Sequence, residues 1–478
     1  MSSGNIKGYP GPLILHHKTI KNKTVMKKHF KLLGAAVIIG VALGSCETDE
    51  PIDESEFGDL KIAYNGLIKP TDNSIVLKWN EAVSKVVDNK MPPPPEARIY
   101  AMVMLAMHDA LNQVIPYYET YALDNSGVNT KGITRKVIQG LANAAASQAA
   151  HDVLVALVPA TERDAGILLE ACLEEVEASE YRDMAIDAGA RAAAAMLLKR
   201  SGDLPLIFQA YPQGTEPGQY RSPGNFANPG PNWPANAAYA PDLGELEPFG
   251  VLSSDQFRAI PPYSVGSFEY ADEYNEVKLL GSNSSTARTP EQAEMGLFFL
   301  DNVASSINRV VRVVAVKFNL DCWETARLLA LVHMAQFDAV QSSFEGKYHY
   351  NLWRPETAIR LGELDGNGAT TGDAGWSILS GARNTPPTPT YPSTHAEAAG
   401  AVTEILHLYF KRDNVQYKIG SYSLPGVERS FSSFSQFASE CAESRIYIGY
   451  HFRNDVIHGE MKGRELARFV FANNLRAL

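Results

Sequence analysis

The chain has 478 residues, of which 45% are hydrophobic and 20% are charged, an ordinary composition for a folded globular protein. This length is enough for a large core and two or three packing units. The formal net charge of −11 argues against a broad nucleic-acid-binding surface, so any anion site must be a local cluster of cations. The four cysteines include no close pair, which gives no support to zinc-ribbon or thioredoxin-like classes.

The amino-terminal segment carries the pattern of an export signal. Met26 opens the basic segment KKHFK, and the apolar run LLGAAVIIGVALGS then leads to Cys46. LGSC matches the bacterial lipobox, whose cysteine becomes the lipidated first residue of the mature chain. We therefore predict an over-long start at 1–25, a lipoprotein signal peptide at 26–45 and an acidic tether at 46–60. The alternative is an apolar segment that has no targeting role.

This pattern predicts where the protein resides. Lipidation of Cys46 would anchor an exported chain to a bacterial membrane, on its periplasmic or cell-surface side. The sequence leaves open which membrane this is, and whether the protein forms a homo-oligomer.

Helical patterns dominate the chain after the tether. The segments 97–115, 134–158 and 183–200 are apolar or alanine-rich with helical spacing, which is typical of closely packed helices. Residues 202–266 are instead dense in glycine, proline and asparagine, which predicts a long ordered loop or a lid.

Helical periodicity returns from about residue 289. The segment LDCWETARLLALVHMAQFDAVQSSFEG has Asp321 as a candidate N-cap and Gly346 as a candidate stop, so Lys347 is expected just beyond the helix end. The sequence thus predicts an all-α fold of helical bundles with long Pro/Gly-rich loops. Its two parts are an amino-terminal helical region at 61–266 and a helical catalytic region at 267–478.

The stretch KYHYNLWRPETAIR places two cations near the start of a helix. Proline is favoured at the first helical position, so Pro355 would hold Arg354 at a rigid helix entrance. An arginine fork binds two oxyanion oxygens at once, and Lys347 adds a compact point charge. Taken alone, such cations are more often solvated surface residues.

A second segment, PPTPTYPSTHAEAAGAV, predicts a helix N-terminus that can receive an anion. Ser393 is a good N-cap for the alanine-rich helix, and the prolines stiffen the approach to it. The free N–H groups and partial positive charge of a helix start attract anions, and His395 lies in that first turn. The alternative is a capped helix with a surface histidine.

A third segment, SRIYIGYHFRNDVIHGE, contains an arginine and a histidine that one straight helix would not direct to a single point. Arg445 and His451 are six residues apart, so either Gly449 breaks the helix or Arg445 lies in a loop before it. Asp455 follows His451 by four residues and can hold one ring nitrogen while the other stays free. This arrangement prepares a histidine as a nucleophile or a metal ligand.

Together the three segments form a signature that resembles the type 2 phosphatidic acid phosphatase superfamily. Three cations around one buried point require a multiply charged anion. The Lys-x6-Arg-Pro form of KYHYNLWRP, followed by YPSTH and SRIYIGYHFRND, is most similar to the vanadium-dependent haloperoxidase branch. Looser similarity extends to RIYAMVMLAMHDA and PFGVLSSDQFRAIPP. The resemblance implies an all-α fold with an oxyanion at the core of a helical bundle.

The resemblance also implies which residues hold the oxyanion. Lys347, Arg354 and Arg445 would neutralise the oxygens of vanadate or phosphate, and the hydroxyl of Ser393 would donate a hydrogen bond to one of them. Thr394 occupies a position where the family usually has glycine and would contribute its backbone N–H. A β-branched side chain there reduces backbone freedom and pocket volume.

The chemical roles implied by the resemblance fall on two histidines. His451 would be the single protein ligand to vanadium, or the phosphate-accepting nucleophile of a phosphatase, and Asp455 would orient it. His395 would be the acid–base residue, with an ordinary pKa of roughly 6.5. Seven residues before it, members that differ in halide choice carry an aromatic residue or a histidine. This chain has Thr388 there, which leaves the halide open.

Two reactions fit such a pocket. The first is that of an exported, vanadate-dependent haloperoxidase-like enzyme that oxidises a halide with hydrogen peroxide. The second is that of an acid or lipid-phosphate phosphatase, which needs no vanadate and acts on a phosphate monoester through a phosphohistidine at His451. The Lys-x6-Arg-Pro spacing and the Pro-rich amino-terminal region favour the first.

Two further interpretations stay open at this stage. His451, Asp455 and His458 share one helix face and could form a divalent-metal site, although three nearby cations would repel such an ion. A non-catalytic surface lipoprotein that binds an oxyanion is the other. The remaining histidines are expected to be structural; they are His108, His151, His333, His349 and His407.

Overall fold

The computed structural model describes residues 71–478, apart from residues 135, 226–232 and 381–384. The predicted signal peptide, the lipidation site Cys46 and the acidic tether lie outside the described residues and stay predictions. The boundary predicted between residues 266 and 267 also stays a prediction. Within the described part of the chain, no helix has the length and apolar character that crossing a membrane requires.

Helices make up most of the described residues, which confirms the all-α prediction. They are α1 (Ser74–Val87), α2 (Pro93–Val114), α3 (Ile138–Leu157), α4 (Glu162–Glu174), α5 (Glu180–Lys199), α6 (Phe268–Leu280), α7 (Pro290–Phe298), α8 (Val303–Lys317), α9 (Cys322–Tyr350), α10 (Pro355–Arg360), α11 (Thr394–Phe410), α12 (Phe434–Tyr447) and α13 (Arg453–Asn473). Two antiparallel hairpins interrupt them and consist of β1 (Phe208–Ala210) with β2 (Ala237–Tyr239) and of β3 (Tyr417–Gly420) with β4 (Glu428–Phe431).

The alanine-rich helices α2, α3 and α5 pack closely on one another. A Cβ atom at Gly189 of α5 would lie only 2.4 Å from the carbonyl oxygen of Ala145 in α3, so the two backbones touch there. Small side chains allow this approach. The helical pattern predicted for this region is therefore confirmed.

A second group of helices, α9, α11, α12 and α13, carries the three motifs. Asp321 caps α9 as predicted, in a capping box with Glu324. The stop predicted at Gly346 is wrong, because α9 continues to Tyr350 and ends at Asn351, which adopts a left-handed conformation with φ 51°. Glycine at 346 serves a tertiary contact instead, since a Cβ there would lie 2.8 Å from Cδ of Pro392.

The described residues of the segment 202–266, which exclude 226–232, form a long loop with short elements, as predicted. Asp338 on α9 holds it, since its carboxylate accepts hydrogen bonds from the backbone N–H groups of Phe249, Gly250 and Val251 at 2.7, 2.6 and 3.0 Å. The loop is thus fixed across α9, next to the helix end that carries Lys347.

Candidate oxyanion site

All eight predicted site residues lie at or directly behind one cavity of about 410 Å³. Six of the eight are among the residues that line it; they are Lys347, Arg354, Thr394, His395, Arg445 and His451. Ser393 and Asp455 are buried behind its wall; Asp455 contacts His451, and the backbone N–H of Ser393 donates to the carbonyl oxygen of Asp455 at 2.9 Å. The convergence predicted from scattered motifs is therefore present in the fold. A separate cavity of about 470 Å³, bounded by α2, α3 and α5, is lined by none of these eight residues.

Lys347 reaches the cavity from the last turn of α9 and is 1% exposed. Its Nζ donates to the carbonyl oxygen of Thr390 at 2.8 Å and to that of Pro392. Burial, and then the nearby charge of Arg354, lower the pKa of this amine well below its usual value. An anion in the cavity would favour the charged form and raise this pKa.

Arg354 is the N-cap of α10, and Pro355 occupies the first helical position as predicted. Its guanidinium donates to the carbonyl and hydroxyl oxygens of Thr388, each at 2.8 Å, and to the carbonyl of Tyr450 at 3.0 Å. Burial lowers its pKa to about 10. Thr388 therefore anchors Arg354, which the sequence did not indicate.

Arg445 and His451 face one cavity because the chain turns between two helices. Arg445 lies in the last turn of α12, Gly449 adopts φ +88°, and α13 begins at Arg453. The break at Gly449 was one of the two alternatives left open by the spacing, and it is the one observed. The guanidinium of Arg445 donates to the carbonyl oxygen of Phe299.

Nearby carboxylates only partly offset the three cations, since Asp455 acts on Lys347 and Arg354, and Glu397 on Lys347, from beyond ion-pair distance. Within the part of the chain that the structure describes, Lys347, Arg354 and Arg445 form no ion pair with a carboxylate, and each is at most 2% exposed. Carbonyl and hydroxyl oxygens satisfy their N–H groups but do not cancel their charge. Such an excess of buried positive charge is costly unless a multiply charged anion offsets it. The residues therefore fit a tetrahedral or trigonal-bipyramidal oxyanion such as vanadate or phosphate.

Neighbouring side chains fix the orientation of the His451 ring in the cavity wall. Its Nδ1 lies 2.9 Å from Oδ2 of Asp455, while its Nε2 lies 3.0 Å from Nη1 of Arg354. A guanidinium only donates, so Nε2 must accept, and the proton is assigned to Nδ1. Burial and the charge of Arg354 lower the pKa of His451 well below its usual value. Nε2 is thus unprotonated at neutral pH, and in this structure its lone pair accepts from Arg354.

His395 is constrained by a backbone carbonyl. Its Nε2 lies 3.2 Å from the carbonyl oxygen of Asp301, which can only accept, so the lone pair of the neutral ring is on Nδ1. The expectation of an ordinary pKa is wrong, because burial and then the charge of Arg445 lower the pKa well below 6.5. The neutral ring can accept a proton, and an anion beside it would raise that pKa.

Ser393 and Thr394 form the start of α11 as predicted. The Oγ of Ser393 accepts from the backbone N–H of Ala396 at 3.5 Å, and its own hydroxyl hydrogen remains available for donation. The side chain of Thr394 accepts a hydrogen bond from the hydroxyl of Ser343 at 2.8 Å. Its β-branched side chain is thereby held against α9.

Two parts of the site left no signal in the sequence. The carbonyl oxygens of Phe299 and Asp301, in the turn between α7 and α8, accept from Arg445 and His395. Thr390 donates to Asp455, and so helps to fix the partner of His451. Backbone acceptors do not depend on residue type, so motif spacing could not reveal them.

The divalent-metal interpretation is wrong. Among the described residues, no group of three or more His, Cys, Asp or Glu side chains is placed to hold a metal ion. His458 contacts the hydroxyl of Tyr391 at 2.5 Å and does not line the cavity. His333 is structural as expected, since it stacks on Tyr100 with ring centroids 4.6 Å apart.

Comparison with known proteins agrees with this geometry. Residues 327–478 match the family model described as the VCPO second helical-bundle domain. The vanadium chloroperoxidase of Curvularia inaequalis is 27% identical over a 292-residue alignment, and the match covers 47% of this chain and 47% of that protein. The resemblance to the vanadium haloperoxidase-like branch is confirmed. The chain spans about half the length of this curated haloperoxidase.

Solved haloperoxidase structures share the fold. A bacterial vanadium-dependent iodoperoxidase superposes with a TM-score of 0.66 at 24% identity, and the match covers 86% of this chain and 98% of that one. An apo-type bacterial vanadium-dependent chloroperoxidase gives a TM-score of 0.64 at 18% identity, over 84% and 97% of the two chains. The haloperoxidase-like fold thus extends beyond the second bundle, through most of the chain.

Proposed function

We propose that this protein is a vanadate-dependent haloperoxidase-like enzyme that oxidises a halide with hydrogen peroxide. The observation that carries the proposal is the convergence of three buried cations on one cavity with a neutral His451, whose Nε2 lies beside Arg354; no carboxylate among the described residues forms an ion pair with these cations. The likeness of the second bundle to that of a vanadium chloroperoxidase supports oxidation rather than another use of the oxyanion.

Separate residues of the cavity would bind vanadate and transfer protons. Lys347, Arg354 and Arg445 would bind the oxygens of vanadate, and Nε2 of His451 would be its protein ligand. When bound, vanadate supplies a Lewis-acid centre that activates hydrogen peroxide toward a halide. Asp455 keeps the proton of His451 on Nδ1 and so preserves the ligating lone pair. His395 would accept and return protons at Nδ1, because its Nε2 is occupied by the Asp301 carbonyl.

Export and lipid anchoring are part of the same proposal. The signal-like segment that ends at Cys46 supports a location outside the cytoplasm. Metabolic labelling with a radioactive fatty acid tests this directly. We expect the label on the unaltered chain and no label on Cys46→Ala.

The decisive experiment compares two reactions on one protein. Purified full-length protein is incubated with orthovanadate, and peroxide-dependent oxidation of iodide and bromide is measured in parallel with hydrolysis of p-nitrophenyl phosphate. We expect vanadate-dependent halide oxidation that is lost in His451→Ala. His349→Ala is the matched control, because His349 is exposed and does not line the cavity.

The same assay can overturn the proposal. Phosphate-ester hydrolysis that vanadate inhibits, without halide oxidation, would establish the phosphatase alternative, since the same three cations would also bind phosphate. Vanadate binding without either reaction would establish a non-catalytic oxyanion-binding protein.

A further inference from the structure

The cavity extends well beyond the cations, and its outer part is aromatic. Its volume of about 410 Å³ lies within the range of pockets that bind small organic molecules. Away from the oxyanion site it is lined by Phe208, Trp233, Tyr239 and Phe344, together with prolines from two segments. None of the lining residues carries a carboxylate. An oxyanion would occupy only the cationic end.

Three of these rings form one wall, with Phe208 in the middle. The Phe208 ring centroid lies 5.2 Å from that of Tyr239 and 5.9 Å from that of Trp233, at interplanar angles of 69° and 55°. Phe208 and Trp233 are only partly buried, so a ligand can reach them. We call Phe208, Trp233 and Tyr239 the aromatic wall.

The aromatic wall is fixed to the loop that anchors the oxyanion site. Phe208 and Tyr239 are paired across the β1–β2 hairpin. The Tyr239 hydroxyl donates to the carbonyl of Leu206 at 2.8 Å, and its backbone N–H donates to the carbonyl of Pro387 at 3.0 Å. Pro387 precedes Thr388, the acceptor for Arg354. The wall is therefore held at a set position relative to the cations.

Phe344 completes the pocket from α9. It precedes Lys347 by three residues, so the two side chains lie on one helix face, and both line the cavity. A ligand in this cavity would therefore meet the carbon surface of Phe344 as well as that of the aromatic wall. Planar rings gain both apolar burial and ring–ring contacts in such a setting.

We propose that the aromatic wall binds a planar, uncharged aromatic acceptor, such as a phenol, and that halogen is transferred to it inside the pocket. This inference rests on the proposed function. In the overall step the arene, halide, hydrogen peroxide and one proton give the halogenated arene and two water molecules. An aryl C–H bond breaks and a carbon–halogen bond forms. The halide–arene pair loses two electrons, which reduce the peroxide.

Binding is tested first, without catalysis, by calorimetric titration of the full chain with 1-naphthol. We expect saturable binding that Phe208→Ala weakens about tenfold, the size expected for loss of one buried ring contact. Phe268→Ala is the matched control, because that side chain is 82% exposed and lies outside the cavity, and it should leave the affinity unchanged. Phe208→Leu keeps apolar volume without a ring, and serves if Phe208→Ala fails to fold. The saturated analogue decahydro-1-naphthol should bind about fivefold more weakly.

Transfer is tested by the position of bromination. Reagent hypobromite brominates 1-naphthol at positions 2 and 4 in a ratio set by the free molecule. We expect the enzyme with vanadate, bromide and peroxide to give a ratio at least threefold different. Phe208→Ala should return the ratio toward that of the reagent, and Phe268→Ala should not.

The outcomes separate this inference from the proposed function. The inference is overturned if 1-naphthol does not bind in the calorimeter and the enzyme gives the same bromination ratio as the reagent. If the protein with vanadate still oxidises iodide to triiodide, the proposed function remains intact. Loss of all halide oxidation overturns the proposed function and the transfer step. Calorimetric binding that depends on Phe208 would then still support the aromatic site.

Discussion

Two sets of buried cations in this protein are satisfied in different ways. In the amino-terminal region, the side chain of Arg200 is fully buried and pairs with Asp203 at 3.0 Å. In the cavity, Lys347, Arg354 and Arg445 are equally buried but find only oxygens that carry no full charge. Burial alone therefore does not mark a functional cation. The cations of the cavity differ from Arg200 in that, among the described residues, none of them forms an ion pair with a carboxylate.

Carboxylates and histidines show the same contrast. Asp109 accepts three backbone hydrogen bonds, and burial raises its pKa to about 6, yet it has no chemical role in the site. Burial also lowers the pKa of His108 to about 4, far from the cavity. A shifted pKa is shared by structural and site residues, whereas His451 is distinguished by its position among unpaired cations.

The largest expected difference between the two sets appears on removal of an arginine. Arg354→Met should weaken vanadate binding by about a hundredfold or more, because a fully buried charge contact is lost. Arg200→Met should leave vanadate affinity unchanged but lower the free energy of unfolding by about 1–3 kcal/mol, because buried Asp203 loses one charged partner and keeps only Arg98 at 2.6 Å. Calorimetry and urea unfolding measure the two effects. Equal losses of affinity in both variants would contradict the comparison.

A smaller effect is expected from the two kinds of buried carboxylate. An amide in Asp455→Asn can donate to Nδ1 of His451 and move its proton to Nε2, so vanadate affinity should fall by about 10- to 100-fold. Asp338→Asn weakens the hold on the 202–266 loop instead, and should cost about 1–3 kcal/mol of stability at unchanged affinity. Vanadate titrations of both folded variants check this. If Asp338→Asn lost as much vanadate affinity as Asp455→Asn, the distinction between a site carboxylate and a structural carboxylate would be contradicted.

The pH dependence of anion binding sharpens the comparison further. The pKa of Lys347 in the free protein lies well below its usual value, and a bound dianion raises it again. At pH values between these two pKa values, anion binding is therefore accompanied by uptake of one proton. Affinity should therefore fall as pH rises, by up to about tenfold per unit for one linked proton. Sulfate keeps its charge between about pH 7 and pH 10, where histidines are neutral, and serves as the titrated anion. Lys347→Met should abolish the slope; a flat profile in the unaltered protein would contradict the linkage.

The smallest expected effect concerns two helical glycines. Gly166 of α4 has open space around its missing Cβ, so Gly166→Ala should stabilise the protein by about 0.5–1 kcal/mol. Gly346→Ala places a methyl group 2.8 Å from Pro392, whose carbonyl accepts from Lys347, so it should destabilise the protein and weaken vanadate binding a few-fold. Thermal unfolding with and without vanadate measures both. Stabilisation by Gly346→Ala would show that the contact is relaxed at no cost.

Local rules explain which parts of the site could be predicted from the sequence. Pro355 fixes the start of α10, Ser393 caps α11, and the four-residue spacing joins His451 to Asp455, since each depends only on nearby residues. The end of α9 could not be predicted, because Gly346 is fixed by a contact with a distant proline. The aromatic wall depends on how a long loop folds back, which no periodic pattern records.

The pKa of His395 was also beyond prediction. Its shift follows from complete burial beside Arg445, and both conditions arise only when the helices assemble. Likewise, the spacing of Arg445 and His451 allowed two backbone paths, and only the folded turn at Gly449 distinguishes them.

The turn between α7 and α8 positions two site residues through main-chain oxygens alone. Asp301 secures this turn, since its carboxylate accepts from Arg309 and from the backbone N–H groups of Tyr422 and Ser423 at 3.0 and 2.7 Å. Phe299 is 1% exposed, so only a substitution that keeps apolar volume, such as leucine, would keep the carbonyl where it is. A one-residue insertion or deletion in the turn would instead displace the acceptors for Arg445 and His395 together. The number of residues in this turn, more than their side chains, therefore determines whether Arg445 and His395 keep their acceptors.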